Sequence, residues 1–160
     1  MIPNSPIRHL NCIINQTAAL LELEHFNKLA VPYSEARGTV KGWDIIRGID
    51  LPYGRKLAES LGVPFAKPRY YILEPNIDIP VHVDVDTLCS LNFILDDEEP
   101  APVHYPGLGN FTYKKALIDT SLPHGVINGN HPRILLKLSI KEYSFNEMVS
   151  ILQERGLIDG

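Results

Sequence analysis

In the run Ile79-Pro80-Val81-His82-Val83-Asp84, a histidine and an aspartate stand two residues apart. In a strand, both side chains would point to the same face. An imidazole nitrogen and a carboxylate oxygen would then converge on one point. A second histidine from a neighbouring strand completes a set of two imidazoles and one carboxylate. That set caps one face of an octahedral metal, suits Fe(II), and leaves positions open for a chelating ligand and O2. His124, at a turn-to-strand junction in Asp119-Thr120-Ser121-Leu122-Pro123-His124-Gly125, can complete it. Arg133 follows nine residues later and opens the final apolar strand. Its guanidinium is a planar fork that pairs bidentately with carboxylates. It can hold the far end of a dicarboxylic cosubstrate whose keto-acid end chelates the metal.

His-x-Asp alone is a weak signal, since a strand-edge histidine beside a solvated aspartate looks the same. The ordered series His82, Asp84, His124, Arg133 carries more weight than any member. Rival ligands exist. His104, in Val103-His104-Tyr105, would add a fourth ligand and make the site cupin-like, with no need of a keto-acid cosubstrate. His131 lies two residues before Arg133 and reads as a loop residue. Asp86 replaces Asp84 only if a bulge shifts the register. His9 and His25 fall outside the strand region. A third reading keeps the fold as a non-catalytic binding module with structural histidines.

The elements that must position these residues are short. Asn15 to Leu29 carries apolar residues at roughly helical spacing, and Pro32 stops it. Val40 to Ile49 is ambiguous and holds Trp43. Gly54 to Leu61 predicts a short helix closed by Gly62 and Pro64. From Arg69 the pattern turns to strands: Arg69–Leu73, Ile79–Val85, Leu88–Leu95, Val103–Tyr105, Phe111–Tyr113, Ala116–Ile118, Gly125–Ile127 and Arg133–Ile140. In the last of these, Ile134, Leu136, Leu138 and Ile140 make one face, and Arg133, Leu135, Lys137 and Ser139 the other. Ser144 caps a final helix from Phe145 to Arg155, ended by Gly156. The layout is mainly β with flanking helices, a double-stranded β-helix or jelly roll. We expect one domain over residues 1–160: a helical N-terminal part (1–68), a jelly-roll core (69–140) and a C-terminal helix (144–156).

Composition narrows the function classes. Of 160 residues, 44% are apolar and 21% charged, as a globular chain requires. A net charge of -4 gives no electrostatic case for nucleic acid. No apolar run reaches the ~20 residues of a membrane helix. The start Met1-Ile2-Pro3-Asn4-Ser5-Pro6 has no secretory pattern. Two cysteines, Cys12 and Cys89, suit neither a disulfide scaffold nor a zinc site, and we read both as reduced, buried thiols of a cytoplasmic protein.

Residues 69–140 resemble the Fe(II)/2-oxoglutarate-dependent oxygenases, nearest to the aspartyl/asparaginyl β-hydroxylase-like group and related bacterial or phage enzymes. The likeness rests on Arg69-Tyr70-Tyr71-Ile72-Leu73-Glu74-Pro75 through Asp84, on Ser90-Leu91-Asn92-Phe93-Ile94-Leu95, and on Leu117 through His124, Asn128 and Arg133. The resemblance implies Fe(II), 2-oxoglutarate and O2, with succinate and CO2 as coproducts of an oxidation, commonly a hydroxylation. It implies His82, Asp84 and His124 as ligands and Arg133 on the distal carboxylate, with Asn92 and Tyr71 lining the cosubstrate pocket. The substrate is a small molecule or a peptide, which fold and triad do not specify. The acidic segment Asp97-Glu98-Glu99 reads as a solvated loop or, less favoured, as recognition of a basic substrate.

Overall fold

The structure is a computed structural model that describes residues 5–35, 38–96 and 100–158. The acidic segment Asp97-Glu98-Glu99 lies outside the described residues.

Among the described residues every strand pairing is antiparallel, and the strands form two sheets. The larger has seven strands in the order β1 (Ile7–His9), β9 (Lys115–Asp119), β6 (Cys89–Ile94), β11 (Arg133–Ile140), β4 (Lys67–Leu73), β3 (Gly38–Ile46) and β2 (Val31–Glu35). The smaller has four, in the order β5 (Ile79–His82), β10 (His124–Val126), β7 (Val103–Tyr105) and β8 (Gly109–Phe111). Two facing antiparallel sheets with helices outside make the expected jelly roll.

Strand β11 shows why the sheet has two different sides. It pairs along most of its length with both β4 and β6. Its even-numbered face (Leu136, Leu138, Ile140) is fully buried under α1 (Gln16–Phe26), α2 (Pro52–Ser60) and α3 (Phe145–Glu154). Its odd-numbered face turns to the space between the sheets, where Tyr71, Leu73, Val103, Tyr105 and Tyr113 form a second core cluster with Leu135.

The helices are anchored by caps. Asn15 accepts from the Ala18 N–H, and Ser144 and Glu147 form a reciprocal capping box on α3. Helix α2 has no side-chain cap of its own. Buried Glu22 of α1 supplies it, accepting from the N–H groups of Tyr53 (2.6 Å) and Gly54 (3.1 Å) and from the Tyr70 hydroxyl (2.8 Å). These N–H groups lack partners within their own helix and sit at its positive end. Cys12 and Cys89 are both buried free thiols.

The N-terminal region departs from expectation. Residues 1–68 do hold the two predicted helices, but they also contribute β1, β2 and β3 to the large sheet. The ambiguous Val40–Ile49 segment is largely β3, whose Trp43 and Ile45 pack inward against the Tyr71–Leu73 stretch of β4. Period-2 patterning was masked there because Gly38, Gly42 and charged Lys41 interrupt it.

Candidate metal centre

Two edge features bring the histidines together. Strand β5 is the edge of its sheet, so Pro80, which has no N–H to donate, is tolerated there. Residue His82 pairs with His124, but Val126 pairs with Ile79, so Pro80 and Val81 bulge opposite Gly125. Bulges re-aim side chains beside sites. Gly125 permits the close approach: a Cβ there would stand 2.7 Å from the Ile79 carbonyl oxygen. The predicted strand Ile79–Val85 ends at His82. Asp84 lies two residues beyond, held by its N–H donating to the Thr120 carbonyl at 3.2 Å.

Asp84 Oδ1 lies 3.1 Å from His82 Nε2 and 3.3 Å from His124 Nε2. Cis ligands about 2.1 Å from an octahedral metal stand about 3 Å apart. The spacing therefore fits one ion facing all three atoms. The remaining ring nitrogens are also committed. His82 Nδ1 donates to the Pro80 carbonyl and His124 Nδ1 to the Leu122 carbonyl, each at 2.7 Å. With the proton fixed on Nδ1, the Nε2 lone pairs of the neutral rings face the metal position. Tyr105 and Trp43 pack against the two imidazoles.

Lys137 completes the charge balance. Its ammonium donates to Asp84 Oδ2 at 2.5 Å and sits over the Tyr71 ring. Burial works against ionisation of Asp84, but the Lys137 ammonium, foremost, and the His124 and His82 imidazoles outweigh it. They hold the carboxyl well below the usual carboxylate range. Burial also works against the Lys137 charge, and Tyr71 and Asp84 together overcome it, so its pKa is raised.

Two strand positions before Lys137 on the same face is Leu135, and two before that is Arg133, only 6% exposed. Arg133 donates to the Ala101 carbonyl (2.7 Å) and to the Tyr113 hydroxyl (3.0 Å). Among the described residues no carboxylate ion-pairs with it. Asn92 also donates to the Tyr113 hydroxyl, at 3.0 Å, and itself accepts from Ser90. With two donors on its oxygen, Tyr113 keeps its own O–H for an incoming acceptor. His82, Asp84, His124, Arg133, Asn92, Tyr71 and Tyr113 line one pocket.

The structure thus brings every sequence-derived site residue to one cavity. It leaves the rivals outside the cluster of His82, Asp84 and His124. His104 pairs with Gly125 in register, so it faces away from His124, and it bonds Asn110 at 2.6 Å. His131 is an exposed loop residue, and Asp86 is exposed with a φ of 58°. Sequence reading missed Lys137, Tyr113 and Trp43. Lys137 had a usable signal, a lysine inside a strand apolar on both sides. Tyr113 had none, because its role comes from a loop meeting Arg133 in space.

No family model matches the chain, and no curated protein matches it. Solved structures do share its fold. A prolyl hydroxylase from Trichoplax adhaerens, in complex with a hypoxia inducible factor peptide fragment, aligns at TM-score 0.63 with 12% identity, over 92% of this chain and 87% of that one. A Pseudomonas putida prolyl-4-hydroxylase aligns at 0.60 with 11% identity, over 83% and 89%. The viral collagen prolyl hydroxylase of Paramecium Bursaria Chlorella virus-1 aligns at 0.58 with 12% identity, over 85% and 96%. At such identities the likeness shows the double-stranded β-helix fold alone, and these neighbours are prolyl hydroxylases, not aspartyl/asparaginyl β-hydroxylases.

Proposed function

We propose that this chain is an Fe(II)- and 2-oxoglutarate-dependent oxygenase acting on a small-molecule or peptide substrate, of the aspartyl/asparaginyl β-hydroxylase-like kind that residues 69–140 resemble. Substrate, O2 and 2-oxoglutarate would give oxidised substrate, succinate and CO2, one oxygen atom of O2 going to succinate and one to the substrate. The reading is carried by one observation: a convergent His82, Asp84, His124 set shares a pocket with a buried guanidinium that has no carboxylate partner among the described residues. An arginine so buried needs an anion, and a dicarboxylic keto acid supplies it while its other end chelates the metal.

His82, Asp84 and His124 hold the metal, which when bound supplies the O2 chemistry. Arg133 and the Tyr113 hydroxyl bind the distal carboxylate, and Asn92 orients Tyr113. Lys137 keeps Asp84 ionised for ligation. Tyr71 and Trp43 wall the pocket and exclude water. A peptide substrate is compatible with the fold, since the Trichoplax neighbour is described with a peptide bound. The cupin-like alternative loses its distinguishing ligand with His104 turned away.

The test is anaerobic titration of the Fe(II)-loaded protein with 2-oxoglutarate, following the visible charge-transfer band of a chelated keto acid. We expect the band in the native protein, its loss in His82→Ala, and at least tenfold weaker 2-oxoglutarate binding with iron affinity retained in Arg133→Gln. Iron binding without a band would favour a metalloenzyme that does not use 2-oxoglutarate. Failure to bind any metal would leave a non-catalytic module.

A further inference from the structure

On the other side of Asp84 from the cosubstrate pocket lies a second, open groove between β4, β11 and the loop that follows β5. Its buried floor differs in kind from the rest of the barrel. In register, Arg69 of β4 stands directly opposite Lys137 of β11, and Lys67 opposite Ser139. Like charges directly opposite on one sheet face destabilise it. Lys137 is neutralised by Asp84. Arg69, half-buried, has no carboxylate within ion-pair distance among the described residues. Beside it, the Ser139 hydroxyl is buried, lines the groove and has no hydrogen-bond partner. A buried hydroxyl left unpaired is uncommon and costly. Two acidic residues, Asp86 and Glu142, also line the groove, both exposed.

We propose that this groove binds a carboxylate of the substrate to be oxidised, through the Arg69 fork and the Ser139 hydroxyl, with Lys67 adding charge at the mouth. A guanidinium and a hydroxyl on one wall match the two oxygens of a carboxylate. Asp84 lines both this groove and the cosubstrate pocket, so a substrate whose carboxylate is seated here reaches toward the metal position past Asp84, while Arg133 serves the cosubstrate in the other pocket. The word substrate rests on the oxygenase reading; the anion site itself does not.

The probe is propionate, with its neutral isostere propionamide and inorganic phosphate as controls. They are titrated into 15N-labelled protein carrying Zn(II) in place of iron and N-oxalylglycine in the cosubstrate pocket, so Arg133 and the chelating positions are occupied. The Arg69 Nε–H resonance, assigned by its absence in Arg69→Lys, is the readout. We expect saturable shifts with propionate and none with propionamide. Affinity should fall at least tenfold in Arg69→Gln and about threefold in Ser139→Ala. Should Arg69→Gln fail to fold, Ser139→Ala, which removes only an unpartnered hydroxyl, carries the test. No saturable shift, equal shifts with propionamide, or a preference for phosphate would each overturn the proposal, the last in favour of a phosphate-bearing ligand. If N-oxalylglycine does not bind, the oxygenase reading fails, and the same titration of the metal-free chain still decides whether Arg69 holds a carboxylate.

Discussion

Two carboxylates sit on opposite sides of the large sheet, and their partners separate structure from chemistry. Glu22, on the helical side, is 8% exposed and accepts from two backbone N–H groups and the Tyr70 phenol. Two of those donors are first-turn amides of α2, so Glu22 closes a helix end, and the phenol ties it to β4. Asp84, on the inner side, meets His82, His124 and Lys137. Each of its partners is ionisable, and two are imidazoles whose nitrogens can ligate a metal. A carboxylate ringed by fixed amide donors serves the fold. One ringed by imidazoles and an ammonium is suited to the metal chemistry proposed above.

The largest expected effects should fall on opposite readouts. Glu22→Ala strands three buried donors at about 1–3 kcal/mol each, offset by relaxation and water entry, so we expect a loss of about 3–5 kcal/mol in urea unfolding. Metal affinity, measured by calorimetry on the folded fraction, should stay within about twofold. His82→Ala should reverse the pattern: metal binding weaker by at least 100-fold, stability of the metal-free protein changed by less than about 1 kcal/mol. If Glu22→Ala lowers metal affinity as far as His82→Ala does, the division between the two sides is wrong.

Lys137→Met sharpens the comparison on the inner side alone. It leaves Asp84 buried with only the imidazoles, so we expect the metal-free protein to lose about 2–3 kcal/mol and the metal-loaded protein to lose less, because the ion replaces the ammonium. The pH dependence follows from the depressed pKa of Asp84. Its stabilisation is present above the unfolded-state pKa of about 4 and is lost as pH falls through the lower folded value. Without Lys137 the burial penalty is less opposed and the folded pKa moves up, so acid unfolding should begin at higher pH. An unchanged acid midpoint would mean Lys137 does not hold the carboxylate.

Gly125→Ala tests the backbone contact that sets the two ligand strands. The added methyl would meet the Ile79 carbonyl at 2.7 Å, and main chain cannot swing away as a side chain can. We expect a cost of about 1–3 kcal/mol and roughly tenfold weaker metal binding, read by unfolding and calorimetry on the same samples. Wild-type metal affinity would show that β5 and β10 can part without moving the imidazoles.

The same contrast explains what the sequence revealed. Alternation on β11 sorted Arg133 and Lys137 from Leu136 and Leu138 before any coordinates, because a period of two is local. The His82–Asp84 pairing survived the end of the strand at His82 because the Asp84 N–H, donating to the Thr120 carbonyl, holds the carboxylate beside the imidazoles. What stayed hidden depends on distant segments. Trp43 lies in a strand whose glycines break the pattern. Tyr113 reaches Arg133 across 20 residues of chain. Glu22 is, by sequence, one more charged residue in a helical segment, and only the arrival of α2 and Tyr70 makes it a buried cap. Helical spacing orients a side chain but does not name its partner.

Cys89 offers the mildest test. It projects from β6 into the helical-side core, where burial foremost, with Asp119 and Glu147 adding to it, pushes its thiol up to about 12. At pH 8 about one part in ten thousand is thiolate, so iodoacetamide should leave native Cys89 unmodified while the urea-unfolded chain reacts within minutes. Its modification then reports opening of the helical side. Mass spectrometry should show faster labelling in Glu22→Ala and an unchanged rate in His82→Ala. Equal acceleration in both would mean that the inner site and the helical layer open as one unit, and that the two carboxylates share a single cooperative structure despite their different partners.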